Sequence, residues 1–321
     1  MKTIPGLIVT FNPLPDFFSR LDSFYTQLDK IILVDNGSRT EACRLLQQEA
    51  RRRDPSLTLI FNETNLGIAK ALNQGFLWAI EHGYDYLVAF DQDSNPEVGM
   101  IPALLESFSA YSPGNRLAVV APVINDPTVN FQSRFLRPKS KFLFERVSCQ
   151  GKVLENVTYA ITSGSLFNLA AYQQIGPFRD DFFIDYVDTE YCLRARKLGY
   201  QIIVVCDARL NHRQGDRERR DLWGYDHYPT FHSPLRWYYI SRNRIPMLRE
   251  YAFRFPHWFL YEIVATGYVL LRMLFFESQK AAKLRGFILG TLDGIRERMG
   301  KATGSVLEWI AHGRKSGANV S

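Results

Sequence analysis

The sequence predicts an α/β protein: a doubly wound, mostly parallel sheet followed by a helical C-terminal appendage. Three observations carry this. Short apolar runs alternate with longer helical patterns from residue 6 to residue 91, the spacing of parallel strands covered on both faces. From Pro234 onward the pattern is helical and rich in Arg, Tyr, Leu and Phe. The chain has 321 residues, 46% of them hydrophobic and 14% aromatic, enough for one large core plus an appendage; a disordered chain is excluded. It shows no internal repeat and no low-complexity linker.

Residues 6–11 read as the first strand, 16–28 as a helix, 30–35 as the second strand and about 40–53 as a long polar helix. Residues 57–62, 68–82 and 86–91 continue as strand, helix and strand. Beyond Asp93 the pattern loosens. Residues 117–122 form another strand, 126–148 are irregular, basic and aromatic, and 158–167 form a strand. A short helix over 189–198 is stopped by Gly199, and 201–206 supply the last strand.

The formal charge of +6 is unevenly placed. Residues 1–235 carry 25 Lys+Arg against 27 Asp+Glu, a net −2, while residues 236–321 carry 14 against 6, a net +8. A near-neutral body with a basic tail points to an anionic partner, and a membrane surface fits it. Nucleic acid does not, because no nucleic-acid-binding motif accompanies the charge. Arg236, Arg242, Arg244, Arg249 and Arg254 are interleaved with Trp237, Tyr238, Tyr239, Tyr251, Phe253 and Phe255, a mixture suited to the headgroup zone. The longest apolar stretch, 258–276, is long enough to span a bilayer but contains Glu262 and Arg272. Lying on a membrane, spanning it and ordinary core packing are its three readings. The four cysteines, Cys43, Cys149, Cys192 and Cys206, lack CxxC spacing, so unpaired thiols in a reduced cytoplasmic setting are expected. No signal-peptide pattern precedes the first strand.

Ligands of open parallel sheets bind beyond the carboxyl ends of the strands, which directs attention to the polar residues there. No GxGxxG follows the first strand, and no GxxxxGK[ST] loop occurs, so dinucleotide-binding and phosphate-cleaving enzymes are disfavoured. Asp91-Gln92-Asp93 directly follows the fourth strand. Carboxylates at i and i+2 on an extended strand end point the same way and call for a cation, the arrangement in which a hard divalent ion also meets substrate phosphates. Asp35 ends the second strand before Asn36-Gly37-Ser38; it either accepts from the N–H of a uracil or thymine ring or closes an Asx-turn. Asn65-Leu66-Gly67 and Asn73-Gln74-Gly75 flank the start and middle of the third helix, where Gly67 and Ile68 either shape a turn or face a nucleotide. The run 180–194 concentrates acids among aromatics. Asp188 sits where an N-cap would and is equally a candidate general base, while Glu190 and Arg194 are spaced as a helix pair. His212 either is structural or completes a metal site begun by Asp93.

Taken together, these residues resemble glycosyltransferase family 2, which has the GT-A fold, over about residues 6–215. Val34-Asp35-Asn36-Gly37-Ser38 resembles the nucleotide-base motif, Asn65-Leu66-Gly67 the second nucleotide motif, and Asp91-Gln92-Asp93 the DxD metal motif. Asp188-Thr189-Glu190-Tyr191-Cys192-Leu193-Arg194 resembles the acceptor helix, which puts the base on Asp188; the family's late metal-binding histidine falls on His212. Phe90-Asp91-Gln92-Asp93-Ser94, the string from Phe183 to Tyr191, and Tyr238-Tyr239 with Arg242-Asn243 are similar to the rhamnosyltransferase branch. Val187 departs from the wider family, where many members place an acid before the base.

The resemblance implies a catalytic domain over 1–235, with a nucleotide-sugar half about 1–95 and an acceptor half about 96–235, ahead of the basic helical region 236–321. It implies an inverting enzyme that transfers L-rhamnose from dTDP-β-L-rhamnose to a glycan or glycolipid. The donor would meet Thr10, Phe11, Asn12, Asp35, Asn36, Ser38, Asn65, Gly67, Ile68, Asn73, Asp91 and Gln92. Mg²⁺ or Mn²⁺ would sit on Asp93 and His212 with Asp91 beside them. Ser163, Gly164, Asp185, Tyr186, Glu190 and Arg194 would line the acceptor side. A cytoplasmic enzyme, peripheral on the inner face of the cell membrane, would result. Another nucleotide sugar (of galactofuranose or glucose) is the rival donor, and a non-catalytic sugar- or lipid-binding protein on the same scaffold the rival class. A nucleotidyltransferase would need a glycine-rich basic loop where Asn12-Pro13-Leu14-Pro15-Asp16 stands.

Overall fold

The computed structural model describes residues 4–111, 116–126, 131–212, 220–222, 225–227 and 232–312. The chain divides into two compact units. The first comprises Met1–Arg137, Glu145–Arg179 and Asp188–Gln214; the second comprises Pro138–Phe144, Asp180–Val187 and Gly215–Ser321. The loop 180–187 thus groups with the C-terminal helices, a division that a single boundary at residue 235 does not capture.

The first unit opens with β1 (Pro5–Thr10), α1 (Asp16–Tyr25), β2 (Lys30–Asp35), α2 (Thr40–Arg52), β3 (Leu57–Phe61), α3 (Ile68–Glu81) and β4 (Tyr86–Asp91). These are the expected elements, to within three residues at every boundary. All six residues of β1 are buried, as a central parallel strand covered on both faces requires. Helix α1 turns Phe17, Leu21 and Phe24 inward at helical spacing, and Phe24 meets Phe90 of β4 edge-on at 4.8 Å. Then come β5 (Ser94–Pro96), α4 (Met100–Tyr111), β6 (Leu117–Asp126), β7 (Phe131–Gln132), β8 (Phe135–Pro138), β9 (Phe144–Val147), β10 (Val153–Leu154), β11 (Leu166–Asn168) and α5 (Leu169–Ile175). The unit ends with α6, which runs from Val187, the junction with the second unit, to Lys197, and β12 (Gln201–His212).

Ten strands form one sheet among the described residues, in the order β10-β12-β6-β11-β4-β1-β2-β3, with β5 on β12 and β7 on β6. The β4-β1-β2-β3 run and the β12–β6 pair are parallel, while β11 lies antiparallel between β4 and β6. Successive strands lead away from β1 on one side and β4 returns on the other, so the topology reverses between β1 and β4.

Three expectations are corrected. The run 158–167 is mostly loop, and only Leu166–Asn168 pairs. The chain turns at Gly164, whose φ is +78° and whose place would press a Cβ to 2.8 Å from both Leu210 and Pro122. The last strand does not stop at Cys206 but bulges past residues 206–208 and continues to His212. Cys149 and Cys206 form a disulfide with Cα atoms 5.3 Å apart, against the expectation of four unpaired thiols; Cys43 and Cys192 remain free. Antiparallel pairing of Val153 with Val205 brings these cysteines together across 57 residues, a spacing that carries no sequence signature.

The second unit holds α7 (Pro234–Tyr251), α8 (Pro256–Phe276), α9 (Lys280–Ile295) and α10 (Gly304–His312). Ser233 caps α7, accepting from the Arg236 N–H at 3.2 Å, with Pro234 next in line. Helix α9 lies directly on α7. A Cβ at Gly286, Gly290 or Gly294 would meet the carbonyl oxygens of Pro234, Tyr238 and Arg242 at 2.2–2.4 Å.

The basic, aromatic stretch expected at a headgroup zone is largely interior. Trp237, Tyr238, Tyr239, Tyr251 and Phe255 are buried, and Arg242 is fully so. Arg242 donates to the carbonyls of Asp181, Phe182 and Gly300. Asn243 Nδ2 donates to those of Phe182, Ile184 and Asp185 at 2.8–3.0 Å. Together they clamp loop 180–187, where Phe183, Asp185 and Tyr186 hold left-handed φ values of 63–65°. Arg236 forks onto Asp185, and Tyr186 OH donates to Glu262 Oε2 at 2.6 Å beside Arg244. Asp185 and Tyr186, expected to face an acceptor, are tied to these helices.

Candidate active site

The carboxyl ends of β1 and β4, on either side of the topological reversal, are stitched by one side chain. Phe11 N–H donates to Gln92 Oε1 at 2.9 Å, and Gln92 Nε2 donates back to the Phe11 carbonyl at 3.4 Å. Asp91 and Asp93 follow on the same strand end, half-exposed at 45% and 46% of their side chains.

The extension of β12 brings the third group. Antiparallel pairing with β5 sets His212 opposite Ser94. His212 Nε2 then lies 3.6 Å from Asp91 Oδ2, and Nδ1 lies 3.2 Å from Asp93 Oδ1. One ligand atom from each of the three falls within 4.8 Å of the others. Donors around one octahedral ion at ordinary bond lengths sit roughly 3–4.3 Å apart, so the set fits a hard divalent cation with small adjustments. Electrostatics agree. Burial alone would push the His212 imidazole down, but the hydrogen bond to Asp93 and the charges of Asp91, Asp93 and Asp126 outweigh it and hold it above its ordinary range. The pocket favours positive charge. The rest of the motif after His212, Arg213 to Gly215, lies outside the described residues.

Two serines brace this group from below. Asp91 N–H donates to Ser163 Oγ at 3.1 Å, Ser163 Oγ and Ser94 Oγ share a hydrogen at 2.6 Å, and Ser94 Oγ lies 3.4 Å from His212 Nδ1. Ser163, expected on the acceptor side, is held beneath the carboxylate pair. The role of Ser94 went unread in the sequence. A signal for the long β12 was present: Asp207-Ala208-Arg209-Leu210-Asn211-His212 alternates, with Ala208, Leu210 and His212 buried.

On the β1–β2 side, Asp35 closes its own turn. Its carboxylate is fully buried and accepts from Thr10 Oγ1 at 3.0 Å, Ser38 Oγ at 2.5 Å, Ser38 N–H at 3.0 Å and Cys43 Sγ at 3.7 Å. Of the two sequence readings, the Asx-type turn is the one seen. Asn12 N–H donates to Ser38 Oγ, and Asn12 Oδ1 accepts from Arg39 N–H. Asn36 accepts from Leu66 N–H and Asn62, and donates to Asn65 and the Gly67 carbonyl, so the two nucleotide-motif loops form one network leading to Ile68 at the start of α3. Asn73 has partners after α3, on α5 and the segment beyond it. It is buried, accepts from Tyr172 OH and Phe178 N–H, and donates to the Phe178 carbonyl, a packing role inside the unit.

Asp188 stands in the first turn of α6, which begins one residue before it, so it is not the N-cap. Its Oδ1 accepts from Thr189 N–H at 2.8 Å, and its side chain is partly exposed. Two residues on, Glu190 is buried and gripped by Arg194, whose guanidinium also donates to the Ile175 and Pro177 carbonyls. That pair locks α6 to the segment after α5. Burial pushes the Cys192 thiol up to about 12, so it stays protonated within the core.

Comparison with known proteins agrees with this geometry. Residues 7–176 match the model of glycosyl transferase family 2. The chain is 29% identical over 312 residues to dTDP-rhamnosyl transferase RfbF of Shigella flexneri, covering 92% of this chain and 96% of that protein. It is 30% identical over 127 residues to the undecaprenyl-phosphate mannosyltransferase of Micrococcus luteus, covering 38% of this chain and 51% of that protein. Among solved structures, S. aureus TarS 1-349 in complex with UDP-GlcNAc superposes with a TM-score of 0.58 at 15% identity, over 93% of this chain and 82% of that one. GalNAc-T7 with UDP, GalNAc and Mn²⁺ gives a TM-score of 0.58 at 14% identity, over 78% of this chain and about half (48%) of that one. With a family match over more than half its length, a GT-A sheet, and an Asp-Asp-His group at the sheet's reversal point, the chain belongs to glycosyltransferase family 2 as a hexosyltransferase.

Proposed function

We propose that the protein is an inverting rhamnosyltransferase that moves L-rhamnose from dTDP-β-L-rhamnose onto a hydroxyl of a glycan or glycolipid. The convergence of Asp91, Asp93 and His212 at the carboxyl edge of the sheet carries this reading. The full-length similarity to a dTDP-rhamnosyl transferase supports the choice of donor. The loops after β1, β2 and β3, with Thr10, Phe11, Asn12, Asn36, Ser38, Asn65 and Gly67, would hold the nucleotide through backbone and amide groups. Asp35 would keep their shape. Asp91, Asp93 and His212 would hold Mg²⁺ or Mn²⁺, which when bound supplies charge to stabilise a departing diphosphate.

Asp188 would take the proton of the acceptor hydroxyl at its carboxylate, with the Thr189 N–H fixing the orientation of one oxygen. The acceptor oxygen then bonds to the anomeric carbon from the face opposite the leaving group. The bond from that carbon to the diphosphate breaks, dTDP departs, and an α-L-rhamnoside results. The acceptor would be reached at the inner, anionic face of the cell membrane. Nucleoside diphosphate release, measured with dTDP-L-rhamnose and with nucleotide sugars of galactofuranose and glucose, tests the donor. The dTDP-L-rhamnose reaction should be fastest. Preference for another sugar would replace the donor, and release from none would remove the catalytic reading.

A further inference from the structure

Helix α8 is built inside out. A surface helix normally shows water its charges and hides its apolar stripe. Here the charges point in. Glu262 is buried against Tyr186 OH and Arg244, and Arg272 turns onto Glu277, which is also held by the buried Lys283. His257, Trp258 and Met273 complete the inner face. The outer face runs through Leu260, Ile263, Val264, Tyr268, Leu271 and Phe275, which lie three, four, eight, eleven and fifteen residues on from Leu260, spacings of one helix face. Each is 37–69% exposed, and no charge interrupts the row. Only 11% of the most apolar window of this helix is buried.

We infer that this outer face of α8 lies in the interfacial zone of an anionic bilayer, parallel to its plane, and does not cross it. Charge selects lipid over a second copy of the chain. Arg254 and Lys280 stand exposed just beyond the two ends of α8, where headgroup phosphates would lie beside an embedded helix. Phe253, 97% exposed, adjoins Arg254. Among described residues 236–312, seven exposed cations stand against three exposed acids, Glu250, Glu297 and Glu308, so two copies would repel where a bilayer would attract. In-plane rather than spanning geometry follows from the inward charges. Crossing would require Glu262 and Arg272 to leave partners that hold them inside the unit, or carry those partners into hydrocarbon. The inference deepens the proposed membrane-borne acceptor and rests on that reading only for its use.

The test is co-sedimentation of the full chain with vesicles of neutral phosphatidylcholine, with and without phosphatidylglycerol, across a salt series. Light scattering is run in parallel, together with turnover on a water-soluble acceptor. Binding should need the anionic lipid, weaken with salt and yield to carbonate extraction. Ile263→Gln and Leu271→Gln, both at exposed positions, should together cut vesicle binding about tenfold or more and leave soluble turnover unchanged. Lack of binding by the unaltered chain overturns the inference. So does retention after carbonate, which means a spanning helix, or a dimer that the two substitutions abolish, which means a second copy. Loss of soluble turnover in the unaltered protein strikes the proposed reaction and leaves the lipid contact standing.

Discussion

At the carboxyl end of β4, Asp91 and Asp93 reach the surface while the apolar residues of the strand stay inside. On α8 the two are exchanged. The same residue types therefore mean different things in the two regions. Asp91 and Asp93 are half-exposed and converge with an imidazole whose surroundings favour positive charge, which is the condition for binding a cation. Arg242, Asn243, Arg244 and Glu262 are enclosed and matched to groups of their own unit, which is the condition for fixing a shape. Exposed charge that converges with other ligand groups at a strand end suits cation binding. Charge on the inner side of a helix marks architecture.

The largest effect that would sharpen this contrast comes from the sheet edge. Chelation with excess EDTA should abolish turnover. Asp93→Ala should lower kcat by about 10³-fold or more even with added Mn²⁺, since a bound metal contributes several kcal/mol to a transition state. Calorimetric titration of Mn²⁺ into the variant should show its affinity lost with the fold intact. Full activity in EDTA would break the assignment.

Asp188→Asn comes next. The substitution keeps the size and can still accept from Thr189 N–H, so it removes the proton acceptor and little else. General-base catalysis is typically worth 10²–10⁴-fold, and kcat should fall by about that much while donor affinity holds. Near-normal kcat would show that Asp188 serves only its helix turn.

How far each region was legible follows from the same contrast. The β/α alternation gave β1 to β4 because each strand is a short, buried run bounded by turn residues, and the strand-end motifs lay where topology puts ligands. His212 stood out by residue type although the expected strand stops six residues short of it, because the strand changes at the 206–208 bulge from an all-buried run to an alternating one. Asp35 and Glu190, each with a turn or helix-pair reading beside its ligand reading, are held by partners in their own loop or helix, while Asn73 and Ser163 are held by residues far away in sequence. Residue type and spacing do not report the direction of a side chain. The disulfide and the glycine seam of α9 were missed for a related reason: both depend on which segments lie side by side. In α7 the interleaved Trp237, Tyr238, Tyr239, Tyr251 and Arg242 turn inward, while Arg236 and Arg249 stay exposed. Membrane contact was expected both of this stretch and of residues 258–276, and the inward turn of the α7 aromatics leaves the apolar outer face of α8 as the surface that expectation rests on.

The helical unit supplies the third prediction. Gly290→Ala places a methyl 2.2 Å from the Tyr238 carbonyl oxygen and 2.3 Å from Ser241 Oγ, both in the α7 seam. Backbone cannot yield as a flexible side chain does, so overpacking should cost about 1–3 kcal/mol. Scanning calorimetry should show a transition lowered by several degrees, while Mn²⁺ affinity stays at the unaltered value. Equal loss of metal affinity would mean that the two regions are not separable in the way their residues imply.

The smallest effect concerns Glu262, and its sign is what matters. Burial raises its pKa, and the opposing pull of Arg244 and the Tyr186 hydrogen bond does not cancel that rise. A carboxyl whose folded-state value lies above its unfolded one contributes most to stability at low pH, below the ordinary glutamate range. That contribution is lost as pH rises through the folded-state value, because the ionised form is the less welcome one inside. Gln has the volume of the protonated acid, carries no charge and still accepts from Tyr186 OH. Glu262→Gln should therefore leave the melting temperature unchanged or slightly raised at neutral pH. Against this variant, the unaltered protein should lose ground as pH climbs from the ordinary glutamate range toward neutrality. Melting curves across that range check both statements. A drop of many degrees in the variant would show that the ion pair with Arg244 outweighs burial. The charges inside this unit would then be attractive anchors, and the division between chemistry at the sheet edge and shape in the helices would have to be redrawn around that pair.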